Sequence, residues 1–306
     1  MRPIRVLLLL GVVVSASAMA GVPWGLDRID QRALPLDGRF VLPADGAGVH
    51  AYVIDTGVRR THEELEGRVD WIGDFVGGTA DGPVSNDADD CDPPASQGHG
   101  THVASILAGR RFGVARGARV HALRILPCTG TTRTDLAATV RAVNWITAHG
   151  VHPAVVNISP ARWQTTDRLL DEAILRSIRA GFVYVLSAGG MADLDAFTPQ
   201  RIADAIKVGS TDASDAAIQP GYGPHLTLFA PGAGIDGAGH ASDTAIFSGD
   251  GDSYAAPLVA GVAALYLQRH PLAPPSDVKA ALLAGATRNL VRNPGRAPNL
   301  LLHVIQ

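Results

Sequence analysis

Three residues of this chain, far apart in sequence, carry side chains that together could break an acyl bond. Ser253 lies in GDSYAAPLVAGVAALYL (251–267), His99 in GHGTHVASILAG (98–109), and Asp55 ends the apolar run of AYVIDTGV (51–58). A serine hydroxyl is a weak nucleophile until a base takes its proton. An imidazole whose tautomer is fixed by a carboxylate is such a base. Gly98 and Gly100 flank His99 and leave the ring room beside a substrate. Each residue also has a plainer structural role, because an aspartate after a strand serves a turn and a serine at a helix start is a favoured N-cap. His102, three residues after His99, raises the question of a metal pair. The zinc helix motif spaces its histidines by four with a glutamate between, whereas Gly100 and Thr101 intervene here. No metal ligand is assigned, and His102 reads as a helix residue hydrogen-bonded inside the fold.

The elements that must position these groups alternate along the chain. Short β-branched runs at Val49–Ile54, Val120–Leu126, Ala154–Ser159, Phe182–Ser187 and Ala205–Gly209 read as strands buried on both faces. Helical stretches are expected at Thr101–Ala108, Asp135–Ala148 and Thr166–Ala180. The last carries acids at its start, arginines at its end and Gly181 beyond it. After Ser253 come 14 positions without a charge, which predicts a buried central helix with Pro257 near its beginning. Ser253 would then sit at the helix N-terminus, where the dipole favours a developing negative charge. The alternation predicts an α/β fold: a doubly wound, mostly parallel sheet with helices on both faces, in a single domain. Functional residues in such sheets gather at the carboxyl ends of the strands.

Composition excludes several classes. With 306 residues, 46% hydrophobic and 18% charged, the chain can build a large core. Its formal net charge of −3 gives no basic excess for nucleic acid. Residues 1–20 read as a secretion signal: Arg2 and Arg5, the apolar run Val6–Val14, then Ala18-Met19-Ala20. That run is too short for a permanent membrane anchor. The expected product is residues 21–306, exported to the periplasm or beyond the cell, with no membrane span. In an oxidising compartment Cys91 and Cys128 can form one disulfide or remain two buried thiols. A bridge would enclose 36 residues and contribute roughly 3–4 kcal/mol through the unfolded chain.

The chain order Asp55, His99, Ser253 differs from the Ser…Asp…His order of α/β-hydrolases, and Ser253 sits in G-x-S-x-A. With WGLDRIDQRALPLDG (24–38), VIDTGV (53–58), GHGTHVA (98–104), VVNIS (155–159), LFAPG (228–232), AAPLVAGVAAL (255–265) and APNLLL (297–302), the sequence resembles the subtilisin-like serine peptidases, especially the proteinase K-like branch. The resemblance implies a subtilisin-like fold and a secreted serine endopeptidase acting on peptides or proteins, as a monomer and without a catalytic cofactor. It implies Ser253 as nucleophile, His99 as general base and then acid, and Asp55 as the group orienting the imidazole. Cys91 and Cys128 fall where some proteinase K-like enzymes carry a disulfide. Calcium is common in the family, but the acidic loop Asp81–Asp92 matches no ligand spacing and reads as a solvated surface loop. Structural calcium is left open.

Departures from the family pattern point to reduced turnover or narrowed specificity. Where the family has an oxyanion-binding asparagine, VLSAGGM places Gly190. Loss of that donor costs about 10²–10³ in turnover, a figure measured on a subtilisin itself. The Gly190 N–H or a water could replace it in part. The substrate wall reads Ser159-Pro160-Ala161-Arg162 in place of S-L-G-G, so a proline without an N–H replaces the leucine, and an alanine and a long cation replace the two glycines. Asp252 stands where the family has threonine, and would disfavour an oxyanion if it pointed inward. No propeptide domain is evident between residue 20 and the matching segment at 24. The alternative from another class is a pseudopeptidase that keeps the groove to bind peptides. A metal-dependent hydrolase built on His99, His102 and the acidic loop ranks behind both.

Overall fold

Runs of valine, isoleucine and alanine do form the sheet. A computed structural model describes residues 21–78, 82–91, 98–128, 135–159, 166–190, 193–219 and 222–304. The leader at 1–20, Pro160, Ala161, Arg162, and Asp81 and Asp92 of the acidic loop lie outside the described residues. The strands are β1 (His50–Asp55), β2 (Val69–Asp74), β3 (Arg119–Arg124), β4 (Ala154–Ile158), β5 (Val183–Ser187), β6 (Ile206–Thr211), β7 (Leu228–Pro231), β8 (Ile235–Ala238), β9 (Ile246–Gly249), β10 (Thr287–Arg288) and β11 (Leu300–Leu301). The helices are α1 (Trp24–Asp30), α2 (His99–Ala108), α3 (Leu136–His149), α4 (Arg168–Arg179), α5 (Asp252–Arg269) and α6 (Pro275–Gly285). Nine strands form one sheet in the order β10-β11-β7-β6-β5-β4-β1-β3-β2, parallel except for β10 against β11. Strands β8 and β9 form a separate antiparallel hairpin.

The pleat sends alternate residues to opposite faces. Val53, Val155, Val185 and Val208 pack with α2 and the apolar α5 on one face. Ile54, Val156, Tyr184 and Leu186 pack with Ala142 and Ile146 of α3 and Leu170 and Ile174 of α4 on the other. A sheet covered this way must be apolar on both sides, which is why the strands read as unbroken hydrophobic runs. The caps match the sequence: Asp135 accepts the Ala137 N–H at 2.9 Å, and Asp167 accepts the Leu170 N–H at 2.8 Å. Gly181 after α4 has φ +102°, which favours glycine.

Most element boundaries differ from expectation by one or two residues, those of α2 and β3 among them. Helix α2 starts at His99, because Gly98 at φ +84° turns the chain there, two residues before Thr101. Strand β3 ends at Arg124, short of Leu126; the Ile125 N–H still donates to the Asp55 carbonyl at 2.9 Å, and Pro127, two residues on, has no N–H to offer.

The N-terminal motif WGLDRID is tied in by polar groups. Arg28 is fully buried and donates through Nε to Asp215 Oδ1 at 2.7 Å and through Nη2 to Oδ2 at 3.0 Å. Asp27 accepts the Gly38 N–H at 2.9 Å. Cys91 and Cys128 are joined as a disulfide, Cα–Cα 5.0 Å, linking the segment before α2 to the loop after β3. Among the described residues no helix is long and apolar enough to cross a membrane.

Candidate active site

Strands β5, β4 and β1 are neighbours, and their carboxyl ends bring the sequence-selected residues together. Asp55 is the last residue of β1 and is completely buried. Its Oδ1 accepts the Thr56 N–H at 2.8 Å and meets His99 Nδ1 at 2.7 Å. That contact places the Nδ1 proton toward the carboxylate and leaves Nε2 as the basic nitrogen.

His99 can approach because its flanking glycines have no side chains. A Cβ on Gly100 would stand 2.1 Å from the Gly57 carbonyl oxygen, and one on Gly98 would stand 2.1 Å from His240 Cβ. The Gly100 N–H donates to Thr56 Oγ1 at 2.8 Å, which fastens α2 to the end of β1. The His99 ring rests against Tyr254, centroids 5.5 Å apart.

Ser253 is the second residue of α5, so its N–H is in the first turn and has no intrahelical acceptor. The N-cap is Gly251, which frees the Ser253 side chain from capping. Ser253 Oγ donates to the Ser159 carbonyl at 3.2 Å, and Ser159 Oγ donates back to the Ser253 carbonyl at 3.0 Å. Ser187 Oγ also donates to the Ser159 carbonyl, at 2.6 Å. Pro257 accounts for the free Ser253 carbonyl. It is the sixth residue of α5, beyond the first turn where the sequence alone would place it, and it lacks the N–H that would bond four residues back. Ser159 takes that vacancy and so fixes β4 against the start of α5.

Gly190 follows Gly189 in a turn with φ of +68° and +70°. Its N–H is not open to a substrate oxygen, contrary to the expected substitution for the missing amide: it donates to Asp252 Oδ2 at 2.7 Å. Asp252 itself does not face solvent. It turns into the protein, where Ser210 Oγ donates to Oδ1 at 2.6 Å and the Tyr222 hydroxyl donates to the same oxygen. Burial raises the Asp252 carboxyl above its usual range against the pull of these hydrogen bonds, and burial beside this anion pushes the Tyr222 hydroxyl up.

His102 has the structural place expected for it. Its Nε2 lies 3.0 Å from the Ile235 carbonyl, its ring packs edge-on to Phe247 and Tyr254, and burial pushes it down to about 3. Among the described residues no cluster of three or more His, Cys, Asp or Glu could hold a metal ion.

The acidic loop is only partly a solvated one. Asp87 is exposed, but Asp90 is buried, accepts the Thr101 N–H at 2.8 Å and the Thr101 hydroxyl at 2.5 Å, and is raised by desolvation. It anchors the first turn of α2 behind His99. Its position beside Cys91 was the available signal, since a bridged segment is drawn against the fold. No sequence pattern marks Tyr254, the ring beside His99, or Gln219, whose side chain lies against Gly190.

A parallel sheet of this order, with an aspartate–histidine pair at the end of β1 and a serine in the first turn of the central helix, defines the subtilisin-like fold class. Residues 46–300 match the Subtilase family (Peptidase_S8), and the chain belongs to that family. It is 45% identical over 283 residues to an extracellular serine proteinase of Thermus sp. (strain Rt41A), covering 92% of this chain and 65% of the relative. It is 39% identical over 300 residues to alkaline serine exoprotease A of Vibrio alginolyticus, covering 97% of this chain and 53% of that protein. The crystal structure of a cold adapted subtilisin-like serine proteinase superposes with a TM-score of 0.81 at 37% identity, covering 94% of this chain and all of the other. The chain thus spans a little over half to about two thirds of the length of the two sequence relatives.

Proposed function

We propose that this chain is a secreted serine endopeptidase that cleaves peptide bonds through an acyl-enzyme. The 2.7 Å contact between Asp55 Oδ1 and His99 Nδ1 carries the reading, because it fixes the one tautomer in which Nε2 can accept a proton. On substrate binding the Ser253 hydroxyl leaves the Ser159 carbonyl, rotates toward Nε2 and attacks the scissile carbonyl carbon. His99 takes the hydroxyl proton and later gives it to the leaving amine, and Asp55 stabilises the imidazolium between the two transfers. Water then repeats the sequence on the acyl-enzyme and restores the serine. The tetrahedral oxyanion forms over the first turn of α5, where the Ser253 N–H and the helix dipole oppose its charge.

The catalytic unit is one domain, residues 21–306 behind a leader, acting as a monomer without a catalytic cofactor. Ser159, Pro160, Ala161 and Arg162 stand at the sequence positions where the family carries its substrate-binding wall. Export is supported by the leader at residues 1–20, by the Cys91–Cys128 disulfide, and by a relative described as extracellular. Casein hydrolysis by the purified protein tests the activity. Wild type should release soluble peptides and Ser253→Ala should not.

A second reading, a peptide-binding pseudopeptidase, is favoured by one observation. Gly190 brings no side-chain donor, and its N–H is held by Asp252. Folded wild-type protein that binds unfolded polypeptide but cleaves none would establish it.

A further inference from the structure

We propose that Gln219 replaces the missing asparagine as the second hydrogen-bond donor to the oxyanion; this rests on the peptidase reading above. A tetrahedral oxygen over α5 has the Ser253 N–H on one side and needs a donor on the other. Gly190 cannot provide it. It has no side chain, and freeing its N–H would leave Asp252, a buried carboxylate shared with Ser210 and Tyr222, short of a partner. The 189–190 turn therefore stays as it is.

The space that a side chain at position 190 would enter already faces an amide. From the point where a Gly190 Cβ would stand, the nearest atoms are Gln219 Cδ at 3.6 Å, Cγ at 3.8 Å and Nε2 at 3.9 Å. These are ordinary van der Waals distances, so the carboxamide lies against the face of Gly190 from which the family's asparagine projects. Gln219 is half-buried, and among the described residues its carboxamide makes no hydrogen bond. Its backbone is tied to the same framework. The Ile218 N–H donates to the Ser210 carbonyl at 3.0 Å, and Ser210 is the residue whose hydroxyl holds Asp252.

An uncharged primary amide brings an N–H with the chemistry of asparagine, keeps it at every pH of activity, and transfers no proton. Gln219 thus supplies from a separate segment what one residue on the turn does elsewhere in the family. A glutamine on a separate segment has an extra methylene and is less rigidly aimed than a side chain on the turn itself. The site should therefore be slower than one with an in-place asparagine, yet well above one with no amide.

Kinetics on peptide p-nitroanilides test this with Gln219→Leu, Gln219→Asn and Gln219→Glu. Gln219→Leu should lower kcat about 10–100-fold with KM within about threefold, since the contact forms only in the transition state. Gln219→Asn, which keeps the amide and withdraws it by one methylene, should fall between Gln219→Leu and wild type. Gln219→Glu, with no donor when ionised, should be at least as slow as Gln219→Leu. In the Gln219→Leu background Gly190→Asn should recover about tenfold or more in kcat, but in wild type only a few-fold at most. An active wild type whose kcat is unmoved by Gln219→Leu, or equal slowing with no rescue by Gly190→Asn, overturns the assignment to Gln219. Folded wild type that hydrolyses nothing would instead bring down the peptidase reading on which it depends.

Discussion

The Gly190 amide and the Asp252 carboxylate are bonded at 2.7 Å across 62 residues of sequence. The two departures from the family pattern in the oxyanion region are therefore one feature. A glycine in place of the family's asparagine presents its backbone N–H to the carboxylate at position 252, which also accepts from the Ser210 and Tyr222 hydroxyls.

Asp252→Ala should cost about 2–4 kcal/mol in urea unfolding. It strands the Gly190 N–H and the hydroxyls of Ser210 and Tyr222, all held by a group only 5% exposed. Asp252→Asn should cost less, because one amide oxygen can still accept. A loss below about 0.5 kcal/mol for the alanine variant would show that the network does not stabilise the fold.

Asp55→Asn should reduce kcat by about 10³–10⁴ while the protein stays folded. The amide would favour the tautomer with the proton on His99 Nε2, so the ring could no longer accept the Ser253 proton. Turnover of peptide p-nitroanilides, with circular dichroism as the folding control, measures this.

Stability should fall on mild acidification, partly through His121. Burial first, then the neighbouring His50 ring, pushes His121 down to about 4, against the opposing influence of Asp70. Its Nε2 lies 2.7 Å from His50 Nδ1, with Asp70 3.5 Å from the other nitrogen and Arg119 bonded to Asp70. The native state favours the neutral ring, so the unfolded state takes up the proton first. This contribution is complete above the unfolded value near 6.5 and is lost as pH falls from there toward 4. The full loss is of order 3 kcal/mol. His121→Gln should flatten the wild-type pH dependence of unfolding across that window, and parallel curves for the two proteins would contradict the assignment.

Cys91→Ser with Cys128→Ser should lower unfolding free energy by roughly 3–4 kcal/mol, because the bridge constrains residues separated by 37 positions. Equal stability of the reduced and oxidised wild type would show that the loop is held by other contacts.

The sequence made the sheet readable because every central strand is buried on both faces and must be apolar throughout. Asp55, His99 and Ser253 were readable because each sits at a strand end or helix start, with glycines marking the close approaches. Other features had no local signal. Asp252 looked like a solvated or intrusive charge until its partners from β6 and the turn after β5 were known. Pro257 reads as a helix-start residue, whereas its effect from four residues beyond Ser253 is to free the Ser253 carbonyl for Ser159. Asp90 stands in a run of aspartates from which only its place beside Cys91 sets it apart. Gln219 carries no pattern at all, since its significance comes from the empty side-chain position of Gly190 on another segment.

Labelling with a fluorophosphonate, read by intact mass and peptide mapping, asks whether Ser253 is an activated nucleophile. One adduct per molecule is expected, located on the 251–267 peptide at Ser253 and abolished in Ser253→Ala and, through loss of the base, in His99→Ala. Folded wild-type protein that gains no adduct, or an adduct that persists in Ser253→Ala, would contradict that role.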